Sequence, residues 1–417
     1  MKKIQKTDIN IVCKGGRILR DIVKKDNKEH VEKEKKHKKI NKKKLAISIS
    51  IGIILVIIAI TAILYYSSRD VRQFLDQYLF RKNITQEKLN SIPLDYDSNI
   101  NVFAYNKNIC ILAENKLMKY NISGNLEDEI NLEINNPVYS VNNKYLAISE
   151  KNSSKLYLIS GSEILWTKDV DGNISKINVN ENGYVSVILT GTSYKSVIAT
   201  FDNEGNELFK TYRATTTVVD TSISNDNKNL AFAEVDTTGT TIQSHVRVLP
   251  IQNPSEKNIY TFSADNNKLI VGIEYHNNNQ IICMYDSEIT ELKDQNNTVL
   301  LSLNESGKHI NFSNINLKNF IYRAVEENDG LFNTNTIIEM KSTSSDKTVV
   351  YTVQGAAKDV NSFGDVVAIN LGQEVEFINT RGGLLKRYSS LQEVQDVILG
   401  NGVAGIVYND KVELINL

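Results

Sequence analysis

Cysteine is scarce: 417 residues hold only Cys13, Cys110 and Cys283, which excludes a disulfide framework and leaves burial to hold any folded part together. Cys110 and Cys283 are the one pair that a bridge could join beyond the N-terminal region, yet each lies in an apolar run and reads as a small buried group. Histidine is nearly as rare. Only His245, His276 and His309 lie beyond residue 100, so each reads as an isolated strand or loop residue, convergence of the three in space being the alternative. No H-E-x-x-H, no paired-cysteine spacing and no G-x-S-x-G is present, so neither a local zinc site nor a hydrolase elbow is encoded. There is one tryptophan, Trp166, and four prolines, Pro93, Pro137, Pro250 and Pro254.

What is abundant is unevenly placed. The net charge of −1 conceals 17 Lys and Arg against 6 Asp and Glu in residues 1–44, and 31 against 43 in the rest. That basic tail is low in complexity and adjoins an apolar segment rather than a folded surface, so it speaks for membrane topology and against nucleic-acid binding. It reads as a disordered tail beside anionic lipid. Leu45 to Tyr66 carries no charge over 22 residues, and as a helix it spans ~33 Å against a bilayer core of ~30 Å. Lys42, Lys43 and Lys44 abut its start, which places the N-terminus in the cytoplasm and the remainder outside the cell. The long basic region and the missing cleavage site argue against a removed signal peptide. Val71, Phe74, Leu75, Tyr78 and Leu79 draw one apolar stripe, which predicts a short amphipathic helical stalk over 67–92.

From about Asn99 the pattern turns to short apolar runs separated by Asn, Asp, Gly and Ser, the punctuation of an all-β domain over 93–417. The runs repeat. An apolar, small, apolar triplet recurs with its small member at Cys110, Ala147, Ser186, Ala231, Gly272, Ala324, Ala368 and Ala404, imperfectly at Arg323-Ala324 and Ala404-Gly405. The spacings, 37, 39, 45, 41, 52, 44 and 36, match the ~40–50 residues of a four-stranded propeller blade. Gly124, Gly161 and Gly382 each follow their small residue by 14 positions and Gly205 follows by 19, where a hairpin needs positive φ. The prediction is a β-propeller of eight blades, or seven if the unit around Ala324 merges with a neighbour. The small residues are expected on inner strands, where the wedge is thin. Only 13 residues follow Ala404, too few for the last blade. A strand from about Lys88 to Tyr96 is therefore expected to complete it, and loss of the last six residues to unfold the domain.

Ser224-Asn225-Asp226-Asn227-Lys228-Asn229-Leu230-Ala231-Phe232 resembles the S-x-D-x-K-x-L-A blade signature of WD-repeat propellers, and the GSEILW and GNELF hairpins are similar to quinoprotein-like blades. With NENGYVSVI, TSYKSVI and DGNISKI, the tail and the single anchor, the whole chain resembles an uncharacterised family of membrane-anchored propellers from Gram-positive spore-formers. The resemblance implies a fold and an anchor, and carries no activity and no functional residue. Quinoprotein dehydrogenases carry vicinal cysteines near the axis; this chain has none, and no cofactor is expected.

Asp169, Asp171 and Asn173 alternate around Gly172 and form a weak calcium-loop candidate, without the closing acidic residue of an EF-hand. Trp166 reads as an inter-blade packing residue. The expected function is a binding or scaffolding module at the plasma membrane, single-pass, its partner an envelope protein or cell-wall polymer and its other contact the bilayer. An envelope enzyme or ligand sensor using the propeller axis is the alternative.

Overall fold

The computed structural model describes residues 42–67, 71, 75, 89–95, 100–264, 267–294, 296–329 and 333–417, and the chain divides into two units, Met1–Arg72 and Gln73–Leu417. In the first unit the described residues form the helix Lys42–Ser67. Its placed side chains run over 49–65, and Ile51, Leu55, Ile57 and Ile63 are all more than half exposed. Among the described residues no helix is long and apolar enough to cross a membrane. The basic tail and most of the expected stalk fall outside the described residues.

The second unit is a ring of eight four-stranded antiparallel sheets. Blades 1 to 7 occupy 101–131, 137–169, 173–213, 217–263, 270–302, 309–354 and 359–389, and blade 8 combines 396–416 with Ser91–Pro93. In blades 1 to 7 the strands lie in sequence order, the first strands of neighbouring blades packing around the axis and the fourth forming the rim. This layering explains two kinds of sequence. Second strands such as Tyr145–Glu150 and Val366–Asn370 are buried almost without a break because a sheet presses on each face. Fourth strands such as Leu126–Asn131 and Glu163–Asp169 are mostly exposed and carry the charges that blunt an open edge.

The repeating small residue sits on the second strand from the axis, not the innermost one. In blade 5 the expected member, Gly272, belongs to the first strand, Ile270–Asn277; its true counterpart is Cys283 on Gln280–Tyr285. The spacings of 41 and 52 on either side of it therefore exchange places. Cys110, Ala147, Ser186, Ala231, Cys283, Ala324, Ala368 and Ala404 are all at most 1% exposed, and both cysteines are free thiols. The imperfect members have reasons. Arg323 is neutralised by Glu339 and Glu305, at 2.6 and 2.8 Å, and donates to the Ser302 carbonyl. A Cβ at Gly405 would come within 3.0 Å of Val412 and 3.3 Å of Ile109 in blade 1.

Gly124, Gly161, Gly205 and Gly382 all have positive φ in third-to-fourth hairpins, as expected. A second series was less visible: Asn106, Asn143, Gly183, Asn227, Asn319, Gly364 and Gly402 hold the left-handed position in the turns between first and second strands. Closure comes from the two ends of the domain. Ser91, Ile92 and Pro93 pair antiparallel with Glu413, Val412 and Lys411, flanked by bonds from Leu94 N to Asp410 O and from Leu414 N to Asn90 O, each 2.9 Å.

Trp166 packs as expected from the rim of blade 2 onto blade 3. Its ring lies 5.9 Å from that of Phe201 and its Nε1 donates to the Asn203 carbonyl. Other seams are locked by buried charge. Glu234 has no exposed side-chain surface and is held by Arg213 of blade 3, by Arg247 and by Thr216; Glu376 is gripped by Arg387 and by Tyr351 of blade 6.

Candidate binding face at the ring axis

The turns between first and second strands all emerge on one face of the ring, since every first strand runs the same way along the axis. These turns are built from polar residues that bond to their own backbone. At Ser224–Asn229, the Ser224 hydroxyl donates to Asp226 and accepts from Asn229 N, while Asn227 turns left-handed, so the WD-like signature folds as the turn before the second strand. In blade 3, the Asn180 side-chain oxygen accepts from Asn182 N and Tyr184 N. The two turns are stitched together: Asn180 Nδ2 donates to Ser224 O and Asn227 Oδ1, and Asn182 Nδ2 donates to Asn225 O at 2.6 Å.

Where the turns of blades 2 to 7 converge they enclose a cavity of about 310 Å³ lined by Asn142, Glu181, Asn225, Glu274, Tyr275, His276, Asn316–Asn319 and Gly364. A shallower depression of about 690 Å³ continues from it over blades 2 to 4, bounded by Asn143, Lys144, Tyr145, Asn182, Tyr184, Asn203 and Asp226; Glu181 and Asn225 line both.

Below the cavity the axis is crossed by charge. Lys176 of blade 3 lies 2.7 Å from Asp220 of blade 4, whose second oxygen accepts from Ile273 N of blade 5 at 3.0 Å. A Cβ on Gly272 would stand 3.3 Å from that carboxylate, a tight fit that favours glycine there. Glu274 follows on the same strand, and burial, with the Asp220 charge second, pushes its carboxyl up to about 8. Near the other mouth, Asn361 donates to Asp359 at 2.6 Å and to Asp396 at 3.4 Å; burial and then the Asp359 charge raise Asp396.

The three histidines do not converge. His276 Nε2 donates to the Ile315 carbonyl at 2.6 Å and its Nδ1 lies 3.2 Å from the Thr343 hydroxyl, so both nitrogens are engaged, and burial holds it below its ordinary 6.5. His245 lies 3.0 Å from the Ser263 hydroxyl on the exposed outer strands of blade 4 and lines neither cavity. His309 is exposed beside Glu326. Asp169 ends the rim strand of blade 2, Asp171 is bound by Lys210 at 2.9 Å, and Asn173 opens blade 3, all on the opposite face. Among the described residues no group of three or more His, Cys, Asp or Glu is arranged to hold a metal.

Glu274 and the cavity asparagines escaped the sequence reading. The signal available for the asparagines was their recurrence a few positions before the small residue of each blade, which marks a shared turn but not which amides face a cavity.

Solved structures similar to the chain include BamB from Moraxella catarrhalis (10% identity, 79% of this chain and 99% of that one, TM-score 0.46). Sqt1 from Chaetomium thermophilum, bound to the N-terminus of ribosomal protein L10, is 13% identical over 79% of this chain and all of its own, TM-score 0.49. The dihydro-heme d1 dehydrogenase NirN, in complex with DHE, is 10% identical over 79% and 73%, TM-score 0.48. At these identities no residue role passes to this chain. No curated protein matches it. One family model does, over residues 80–417, and the chain accordingly belongs to DUF5711, a family of unknown function whose member here is an eight-bladed β-propeller.

Proposed function

We propose that this protein is a binding module of the cell envelope, fixed to the plasma membrane by the helix over 45–66 with its N-terminus inside, and receiving an envelope partner on the first-turn face of its propeller. The observation that carries the reading is the polar cavity at the axis, which six blades build and whose lining histidine, His276, has both ring nitrogens engaged, by the Ile315 carbonyl and by a Thr343 hydroxyl that is not part of the lining. A cavity of this size with convergent polar groups suits recognition. The anchor is supported by the 22 uncharged residues, by the lysines before them and by the exposed apolar side chains of the helix, which water would not tolerate on that scale. A spore-forming Gram-positive cell is the expected setting.

The test is photo-crosslinking in intact cells from a probe at Asn319 or Asn225 on the first-turn face, with a probe at Asn304 on the opposite face as control. A defined adduct from the first pair alone supports the reading. No adduct from any site, or substrate turnover by the purified full-length protein, overturns it. Alkaline extraction checks the anchor: the protein should stay in the membrane pellet, and its release would remove that part.

A further inference from the structure

The asparagines of the first-turn face divide into two groups that sequence alone cannot separate. Asn180, Asn182 and Asn227 spend their side chains on neighbouring turns. Asn142, Asn143, Asn203, Asn225, Asn316 and Asn319 line the two continuous cavities, and none of their side-chain amides has a hydrogen-bond partner among the described residues. Each such amide presents two donors beside an acceptor. An array of that kind, spread over a depression of about 690 Å³ and its axial extension, fits a ligand whose own groups both donate and accept at close intervals.

The charges around the array narrow the ligand further. Lys144 lies over the Tyr145 ring at 5.1 Å, and with it the rim carries Glu181 and Asp226, the latter paired to Lys228 at 3.1 Å. A polyanion would need a densely basic surface, whereas the two linings hold only Lys144 and Lys318 against Glu181, Glu274 and Asp226. A hydrophobic peptide would need apolar pockets, whereas the lining is mainly amide and carboxyl. Hydroxyls meet the array without leaving a charge or an amide unpaired.

We propose that this depression binds an uncharged, hydroxyl-rich polymer, a polysaccharide chain of the envelope, held by paired hydrogen bonds to Asn203, Asn225 and the amides around them. The inference rests on the reading of the protein as a binding module and names its ligand class.

The experiment uses the full-length protein in lipid nanodiscs, avoiding glycoside detergents. It is titrated calorimetrically with neutral tetrasaccharides (N-acetylglucosamine, glucose and galactose series), with size-fractionated neutral envelope polysaccharide, and with a polyglycerol phosphate as polyanion. Binding of a neutral saccharide is expected, weakened at least tenfold by the double variant Asn203→Ala/Asn225→Ala and unchanged by Asn304→Ala. Both cavity substitutions spare the backbone carbonyls used by Trp166 and Asn182, and an unchanged melting temperature of the double variant confirms an intact ring. No neutral saccharide bound at 10 mM, binding confined to the polyanion, or binding indifferent to the double variant each overturns the proposal. If crosslinking then captures a protein on the same face, the binding-module reading survives and the saccharide fails alone; if it captures nothing, both fall.

Discussion

Blade 3 and blade 8 share one architecture and are made in opposite ways. Blade 3 is a single stretch, 173–213, in which each strand pairs with its neighbour in sequence. Blade 8 takes three strands from the C-terminal end and its rim from Ser91–Pro93, so that Ile92 meets Val412 across the whole length of the ring. A contiguous blade can close its hairpins locally, at the small entropic cost of short loops, whereas the eighth cannot exist until the others have brought the ends together. Blade 8 is thus where the cooperativity of the ring is concentrated, and substitutions there should act on the whole domain.

The largest effect is expected from removing residues 412–417. This takes away buried Val412, Leu414 and Ile415 and the partner of the N-terminal strand. Circular dichroism on heating should show no cooperative transition, or the protein should aggregate on expression. Melting like the intact chain would mean that the first seven blades are stable as an open arc.

A milder break uses single side chains. Ile92→Ala empties a position only 1% exposed and should cost roughly 2–4 kcal/mol. Ile164→Ala, on the half-exposed rim of contiguous blade 2, should cost less than about 0.5 kcal/mol. Urea denaturation measures both. Equal costs would show that closure by the two ends has no special weight.

Turn glycines sharpen the same contrast between local and inter-blade constraint. Gly161 and Gly205 both have positive φ, 62° and 83°. A Cβ at Gly161 meets nothing within 4 Å, while one at Gly205 would lie 2.8 Å from the Trp166 ring of blade 2. Alanine at Gly161 should therefore cost only the left-handed strain of about 1 kcal/mol. At Gly205 overpacking adds about 1–3 kcal/mol, and Trp166 fluorescence should shift as its ring moves.

How much of this was legible depended on whether a residue's role is local. The period, the eight units, the hairpin glycines and the missing fourth strand all follow from turn chemistry and strand length, which a sequence displays directly. The small-residue ruler was legible as a period but misled at Gly272, because Val271-Gly272-Ile273 has the same apolar, small, apolar form as a second strand. There glycine is favoured by the closeness of the Asp220 carboxylate of another blade, which no local pattern reveals. Arg323 looked like a defect for the same reason, since Glu305 comes from the loop before its blade and Glu339 from the strand beside it. The axial cavity was invisible in sequence, because its lining comes from six successive blades, whose contributions lie about 40 to 50 residues apart along the chain.

The smallest effect probes the axis, where the blades meet irrespective of how each is assembled. Glu274 has an ordinary pKa of 4.5 that burial, and then Asp220, raise to about 8 in the ring. Between those values the unfolded chain has released this proton and the folded one retains it, so stability from this group is fully present below about pH 4.5 and is lost as pH rises to about 8. Glu274→Gln stays neutral throughout. Its melting temperature should run close to the wild type at pH 4.5, diverge upward through neutrality, and stand roughly 4 °C higher at pH 9, equivalent to about 2 kcal/mol once partial access of water is allowed for. Parallel melting profiles for the two proteins across pH 5–9 would place the Glu274 carboxylate in ordinary contact with solvent. The same variant leaves Ser91–Pro93 and its partners untouched, so a gain in stability at high pH would locate the pH sensitivity at the hub and not at the seam where the two ends join.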